Sequence, residues 1–234
     1  MSPTSRAAAA SARRRARRAE IVQATRDLFD ERGLRDANID DIARAVGVNR
    51  AIIYRHFSSK DELFALTLAG YLEELGTLLA GADDPAAPPL DRLAAVAGAF
   101  ADFGLRHPAF LDCAFALMRQ PGDELLAEIS EGALFRLGQL MTTSLGRVSE
   151  VVRAGADAGE LDVEDADLLA TALYLQALGA LHLARTGFFV RGADGAPEMV
   201  PVDERTVRAL VVDALVATAR GARRQSQAAA PSSR

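Results

Sequence analysis

The sequence predicts an all-α protein, with an N-terminal helix-turn-helix domain followed by a larger helical domain. Three observations predict it. Apolar residues recur three and four apart along most of the 234 residues. Half the residues are hydrophobic while tryptophan is absent and aromatics are few, as fits an alanine- and leucine-rich helical chain. The stretch from Asn38 to Lys60, NIDDIARAVGVNRAIIYRHFSSK, reads as a helix, a glycine turn, a short second helix and a basic, aromatic exit. That order suits a helix laid in the major groove of DNA.

Taken in order, Met1 to Ser11 has no hydrophobic pattern, and residues 1–12 are expected to form a disordered arm. A first helix runs from about Arg14 to Arg32. Asn38 is a good N-cap for the second, and Asp40 and Asp41 put negative charge where the helix dipole favours it. Ile42, Ala43 and Val46 share an apolar face, and Gly47 stops the helix. Asn49 caps the third helix, which Val48, Ile53 and Phe57 pack back on the second. Ser59 and Glu62 form a capping box for a long fourth helix, whose Phe64, Leu68, Tyr71, Leu72, Leu75, Leu78 and Leu79 make one broad face ending near Gly81. Residues 13–60 therefore form the helix-turn-helix domain.

Beyond the DDPAAPP linker, helices are expected at about Leu90–Arg106, Ala109–Met118 and Asp123–Ala156, with breaks at Pro108, Pro121 and Gly122. An eighth runs from about Val163 to Gly187. A ninth, from about Asp203 to Arg220, has Val207, Leu210, Val211, Ala214 and Leu215 on one face. Residues 61–220 make the second domain, and the polar, low-complexity 221–234 a disordered tail. From Thr186 to Asp203, apolar flanks surround RGADGAPE; a short hairpin, an ordered flap and a mobile loop all satisfy the pattern, and the cost of leaving the flanks in water favours an ordered loop.

The string GVNRAIIYRHFSSKDELF, with RRARRAEIVQATRDLFDERG before it, closely resembles the TetR family of bacterial transcriptional regulators, across roughly Ala16 to Tyr71. The resemblance implies a nine-helix, two-domain regulator with a C-terminal ligand-binding and dimerisation domain. Asn38 stands where the family often has threonine, and Ala51-Ile52 replace a frequent Gly-Thr pair, so an operator sequence does not transfer from relatives.

Few side chains of so short a reading helix reach DNA. Arg50 and Arg55 are able to grip guanine bidentately, Ile52 to touch a thymine methyl, and Ala51 to allow close approach. Tyr54, His56 and Lys60 resemble the family's phosphate-contacting positions, and Asn38 and Asn49 complete the expected DNA-binding set. Lys60 is the single lysine of the chain, and a cation in a first helical turn is compensated by a phosphate. The Arg13–Arg18 cluster is either a solvated helix start or a phosphate-contacting arm.

A short reading helix needs a second copy to read a palindrome. The resemblance implies a homodimer formed by the last two long helices: Leu168, Leu169, Ala172, Leu173, Leu175, Ala180, Leu181 and Leu183 wrap around more than one face of the eighth, and Val212 and Val216 leave the main stripe of the ninth. It also implies an inducer pocket. Candidate lining residues are Phe100, Phe103, His107, Phe110, Cys113, Phe115, Met118, Phe135, Gln139, Met141, Tyr174 and Gln176, apolar walls with a few polar groups that suit a mainly hydrophobic small molecule. Ordinary core packing is the alternative for each.

The net charge of −5 is uneven: residues 1–60 hold 13 Lys+Arg against 7 Asp+Glu, a net +6, leaving −11 on the rest. A basic module for phosphates joined to an acidic body follows. One cysteine, Cys113, excludes an intramolecular disulfide framework. No signal peptide opens the chain, and the longest uncharged segment, Leu168–Ala184, is short for a bilayer span. A cytoplasmic protein without membrane contact or cofactor is expected. Cys113 with His107 lacks the orienting acid an enzyme needs. A metal-responsive regulator using His107, Cys113 and His182 matches no local ligand spacing, and a ligand-independent DNA-binding protein leaves the acidic body unexplained.

Overall fold

The computed structural model describes residues 3–33, 38–119, 121, 123, 127–193 and 195–228, and among them nine α-helices and one hairpin are bounded, with further helical residues at Asp123, Ala127 and Glu128. The helices are α1 (Pro3–Arg32), α2 (Ile39–Ala45), α3 (Arg50–His56), α4 (Lys60–Ala82), α5 (Pro89–Arg106), α6 (Pro108–Met118), α7 (Glu131–Asp157), α8 (Ala166–Thr186) and α9 (Glu204–Ala228); strands β1 (Phe188–Ala193) and β2 (Ala196–Pro201) stand between α8 and α9.

Four boundaries differ from the sequence expectation. The arm expected over residues 1–12 is helical from Pro3, continuous with α1. Proline is tolerated in a first turn, and Ala7 to Ala10 are the strongest helix formers available. Within the helix expected over Asp123–Ala156, Asp123, Ala127 and Glu128 are helical, but Ile129 and Ser130 interrupt the run and α7 starts at Glu131, where the Ser130 carbonyl accepts from the N–H groups of Ala133 and Leu134 at 2.9 and 3.0 Å. Positions 124–126 lie outside the described residues. The 186–203 segment is an antiparallel hairpin with Gly195 at φ +83°, not a loop. Gly221 does not end α9, which continues to Ala228 through residues with no proline; of the expected tail, 229–234 lies outside the described residues.

The chain divides into two compact units, residues 1–73 with 108–140 and residues 74–107 with 141–234. In the first, Ile21 and Phe29 of α1, Ile42 of α2, Ile53 of α3, Leu63, Tyr71 and Leu72 of α4 and Phe110 of α6 form the buried core. Phe29 meets Phe64 edge-on at 5.1 Å. Polar groups are satisfied locally: Thr25 and Thr67 donate to the carbonyls of Ile21 and Leu63, and Tyr71 donates to Asp30 at 2.7 Å while Arg26 stacks on its ring.

In the second unit, α5 packs on α8 and α9 through Leu93, Val96, Phe103, Leu173, Leu181, Val207 and Val211. α5 and α8 approach closely at Gly104, where an added Cβ would lie 2.5 Å from a Leu181 methyl and force that side chain to shift. Asp83 is buried beneath Arg92, which grips it with two bonds of 2.8 and 3.2 Å, and Arg147 adds a third at 3.3 Å. These bonds hold its carboxyl below the usual range against the opposing effect of burial.

Candidate nucleic-acid interface

The reading head is built from backbone caps outward. The Asn38 side-chain oxygen accepts from the N–H groups of Asp40 and Asp41, both at 2.9 Å, and starts α2. Gly47 turns the chain at φ +69°, and Val48 N–H closes the turn on the Ala43 carbonyl at 2.8 Å. Asn49 then accepts from Ile52 N–H at 3.0 Å and starts α3. Asn38 and Asn49 thus have structural work, which leaves only their amide groups for DNA.

α3 is seven residues long, fastened by buried Ile53 and by Phe57 just after it. Arg50, Ala51, Tyr54 and Arg55 are exposed, whereas Ile52 and His56 are half-buried. Arg50 lies over the Tyr54 ring at 5.4 Å, 3.4 Å from its hydroxyl and 3.8 Å from the Asp40 carboxylate. These are loose contacts, so the guanidinium is free to exchange them for a base or phosphate. Lys60, at the first position of α4, is exposed with its Nζ 4.9 Å from the Phe64 ring. Burial first, and then Arg14, Arg18, Arg17 and Arg55, lower the pKa of His56 below its ordinary 6.5. In the free protein these effects favour the neutral imidazole, and a phosphate beside it would act in the opposite sense.

The arginine cluster divides by role. Arg17 pairs with Glu20 at 2.6 Å and donates to the Val46 carbonyl at 3.3 Å, and Arg18 pairs with Glu62 at 2.5 Å. Both fasten α1 inside its own unit. Arg13, Arg14 and Arg15 remain exposed. The expected capping box is half formed: Ser59 accepts from Glu62 N–H at 3.0 Å, but the Glu62 carboxylate accepts from Ser58 N–H, one residue before the cap, and from the hydroxyls of Ser58 and Ser130. Ser59 also donates to the Glu128 carbonyl at 2.8 Å. Sequence reasoning missed this hub; Ser130 is an ordinary loop serine until the chain is folded.

The candidate pocket residues fall in both units. In the first, Phe110 and Cys113 are fully buried, while Met118, Phe135 and Gln139 are exposed. Burial, and then Asp112 and Asp30, raise the pKa of Cys113 far above that of a free thiol. In the second, Phe100 and Tyr174 meet edge-on at 5.9 Å, Phe103 lies 4.7 Å from His107, and Gln176 accepts from Thr218 at 2.9 Å, which ties α8 to α9. Burial pushes the Tyr174 phenol up to about 12. A groove of about 320 Å³ between α5 and α9, lined by Leu90, Ala94, Val212 and Val216 among others, holds none of the candidates. Among the described residues no three His, Cys, Asp or Glu side chains lie together as metal ligands.

α8 carries a stripe of its own. Leu168, Ala172, Leu175, Gly179 and His182, four and three apart, are all exposed, although Leu168 and Leu175 are large and apolar. α4 and α8 are both long and apolar enough to cross a membrane by length and composition; the apolar stretch of α4 is 61% buried, and that of α8 is 28% buried.

Residues 21–67 match the profile of the bacterial regulatory proteins of the tetR family. The HTH-type transcriptional repressor KstR2 of Mycobacterium tuberculosis is 38% identical over 77 residues, which are 33% of this chain and 38% of that repressor. The matched stretch thus spans well under half of the curated relative. A tetR-family regulatory protein from Rhodococcus RHA1 shares the fold, with a TM-score of 0.60 at 19% identity over 87% of this chain and 96% of its own. RolR, solved with the ligand resorcinol, shares it with a TM-score of 0.63 at 16% identity over 96% and 98%.

Proposed function

Because the chain belongs to the TetR family of bacterial transcriptional regulators, by its DNA-binding domain and by its all-α fold, we propose that it is a ligand-responsive repressor that reads a palindromic operator as a dimer. The observation that carries this reading is α3: a seven-residue helix, fastened by Ile53 and Phe57, that turns Arg50, Ala51, Tyr54 and Arg55 outward beside Lys60. Arg50 and Arg55 read base edges, Ile52 and Ala51 allow close approach, and Tyr54, His56 and Lys60 hold phosphates.

Seven helical residues extend only about 10 Å, so one copy touches few base pairs. A two-fold pair places reading helices in successive major grooves, about 34–36 Å apart. The exposed Leu168–Leu175 stripe of α8 supports that pairing, as an apolar helix face that a partner would cover.

Repression is supported by likeness to a repressor, and ligand response by likeness to a protein solved with a small phenol. Within the second unit, the aromatic candidates Phe100, Phe103 and Tyr174, with His107 and Gln176 as polar groups, suit a small, mainly hydrophobic inducer. Response then follows from linkage. The ligand prefers one arrangement of the dimer, the operator prefers another, and each weakens the other by the same factor. α4 is the natural carrier, because it starts at the reading head and continues into the second unit. Such a protein works in the cytoplasm, where its operator is.

Binding of the full chain to its own upstream DNA, followed across salt concentration, tests the proposal. Selective binding with a steep negative salt slope is expected, and small phenols and other apolar compounds are then screened for release. Weak binding of equal strength to any sequence would overturn the operator-reading function.

A further inference from the structure

The hairpin between α8 and α9 takes no part in reading DNA or in the candidate pocket. Gly187 ends α8 at φ +74°, and Val202 N–H returns to the Gly187 carbonyl at 3.0 Å, so the two ends of the hairpin are tied at its base. The register sets Phe188 opposite Pro201, Phe189 opposite Val200, Val190 opposite Met199 and Arg191 opposite Glu198. Opposed residues share a face and successive residues alternate. One face is therefore wholly apolar, with Phe188, Val190, Met199 and Pro201. The other carries the Arg191–Glu198 ion pair at 2.8 Å beside Phe189 and Val200.

The apolar face is uncovered. Val190 is 60% exposed and Met199 64%, and Phe188 is also exposed. Two strands alone bury too little to hold together well in water, and a contiguous exposed apolar patch marks a contact surface. With Arg191 against Asp194 and Glu198, residues 188–201 carry a net charge of −1, which disfavours a nucleic acid as the occupant.

A second copy of this chain fits. The exposed stripe Leu168, Ala172, Leu175, Gly179 and His182 leads along α8 towards Thr186, one residue before the hairpin's base. The hairpin thus starts where the stripe proposed for dimerisation ends, and a two-fold pairing that apposes two α8 stripes would put each hairpin within reach of the other copy. We propose that the β1–β2 hairpin is an intersubunit clasp whose Phe188, Val190 and Met199 face lies on the helical unit of a second copy. The inference rests on the dimer reading above and adds a specific element to it.

The test compares the full-length chain with the triple variant Phe188→Ser, Val190→Ser, Met199→Ser and with a chain in which residues 188–201 are replaced by a short Gly/Ser linker, by sedimentation over a dilution series. Both variants should dimerise at least about tenfold more weakly, as expected when an interface loses its apolar anchors, with unchanged helix content by circular dichroism. In parallel, a photo-crosslinking amino acid at Val190, in a mixture of light and isotope-heavy chains, should give light–heavy crosslinked peptides. A dimer of unchanged strength with crosslinks only within one chain overturns the clasp and leaves the dimer reading standing. A parent chain that is monomeric at every concentration overturns both.

Discussion

Arg18 of α1 and Glu62 of α4 meet in a 2.5 Å ion pair whose acid side chain is 3% exposed. The same carboxylate accepts from Ser58 N–H at 2.5 Å, from the Ser58 hydroxyl at 2.7 Å and from the Ser130 hydroxyl at 2.5 Å. One charge therefore ties together the first helix, the turn that leaves the reading helix, and the entry to α7. Burial by itself would raise the pKa; the bonds from Ser130, Ser58 and Arg18 outweigh it and hold the carboxyl at about 2.

Glu62→Gln should destabilise the protein at pH 7 by about 2–3 kcal/mol, since a buried charge-assisted network loses its acceptor. The folded-state pKa lies below the ordinary value of 4.5, so the contribution is complete above pH 4.5 and disappears as pH falls towards about 2. Urea denaturation of both proteins across pH should show the gap narrowing over that window. A gap independent of pH would mean that the ionised form is not what ties the three elements.

Arg50→Ala and Lys60→Gln should weaken DNA binding in different ways. Arg50 leaves only a loose Tyr54–Asp40 environment to reach bases, so its loss should cost about 1–3 kcal/mol on the operator and relax selectivity. Lys60→Gln should weaken all sequences about equally and reduce the salt slope by about one. Fluorescence anisotropy with operator and scrambled DNA separates the two, and the reverse pattern would exchange the roles.

Leu175→Glu should shift the chain towards monomer while it remains folded, because Leu175 is 46% exposed within one copy. Sedimentation velocity at several concentrations reads the outcome. An unaffected dimer would show that the pair forms through another face.

Cys113 should resist thiol reagents in the native protein and react fully only in denaturant, as a buried thiol with a raised pKa must. Cys113→Ser should keep operator affinity. Rapid native labelling with loss of DNA binding would revive the reading of Cys113 as a reactive group beside His107.

Much of the reading head is local in sequence. Asn38 and Asn49 cap within three residues of themselves, Gly47 turns because its own φ is positive, and Ile42, Ile53 and Phe57 are buried by helical period alone. The hairpin is one of three readings the sequence allows: Asp194-Gly195 between apolar runs is a strong short hairpin signal, but a glycine-rich centre also reads as loop. The helical stretch before Arg14 was missed because an alanine run lacks amphipathic period, although its propensity is high.

By itself the sequence determined the all-α class, the helix-turn-helix and its outward-facing residues, since caps, turns and periodicity act over a few residues. Tertiary structure alone decided which arginines of the basic cluster fasten the fold and which stay exposed, which acid Arg18 meets, and that Ser130 closes the Glu62 network. It also decided that Leu168, Leu175 and the hairpin's apolar face stay open while equally apolar neighbours such as Leu173 and Leu178 are buried. Residues 44 and 68 positions apart are brought together only when the helices pack, and no local property of Arg18, Glu62 or Ser130 encodes that distance.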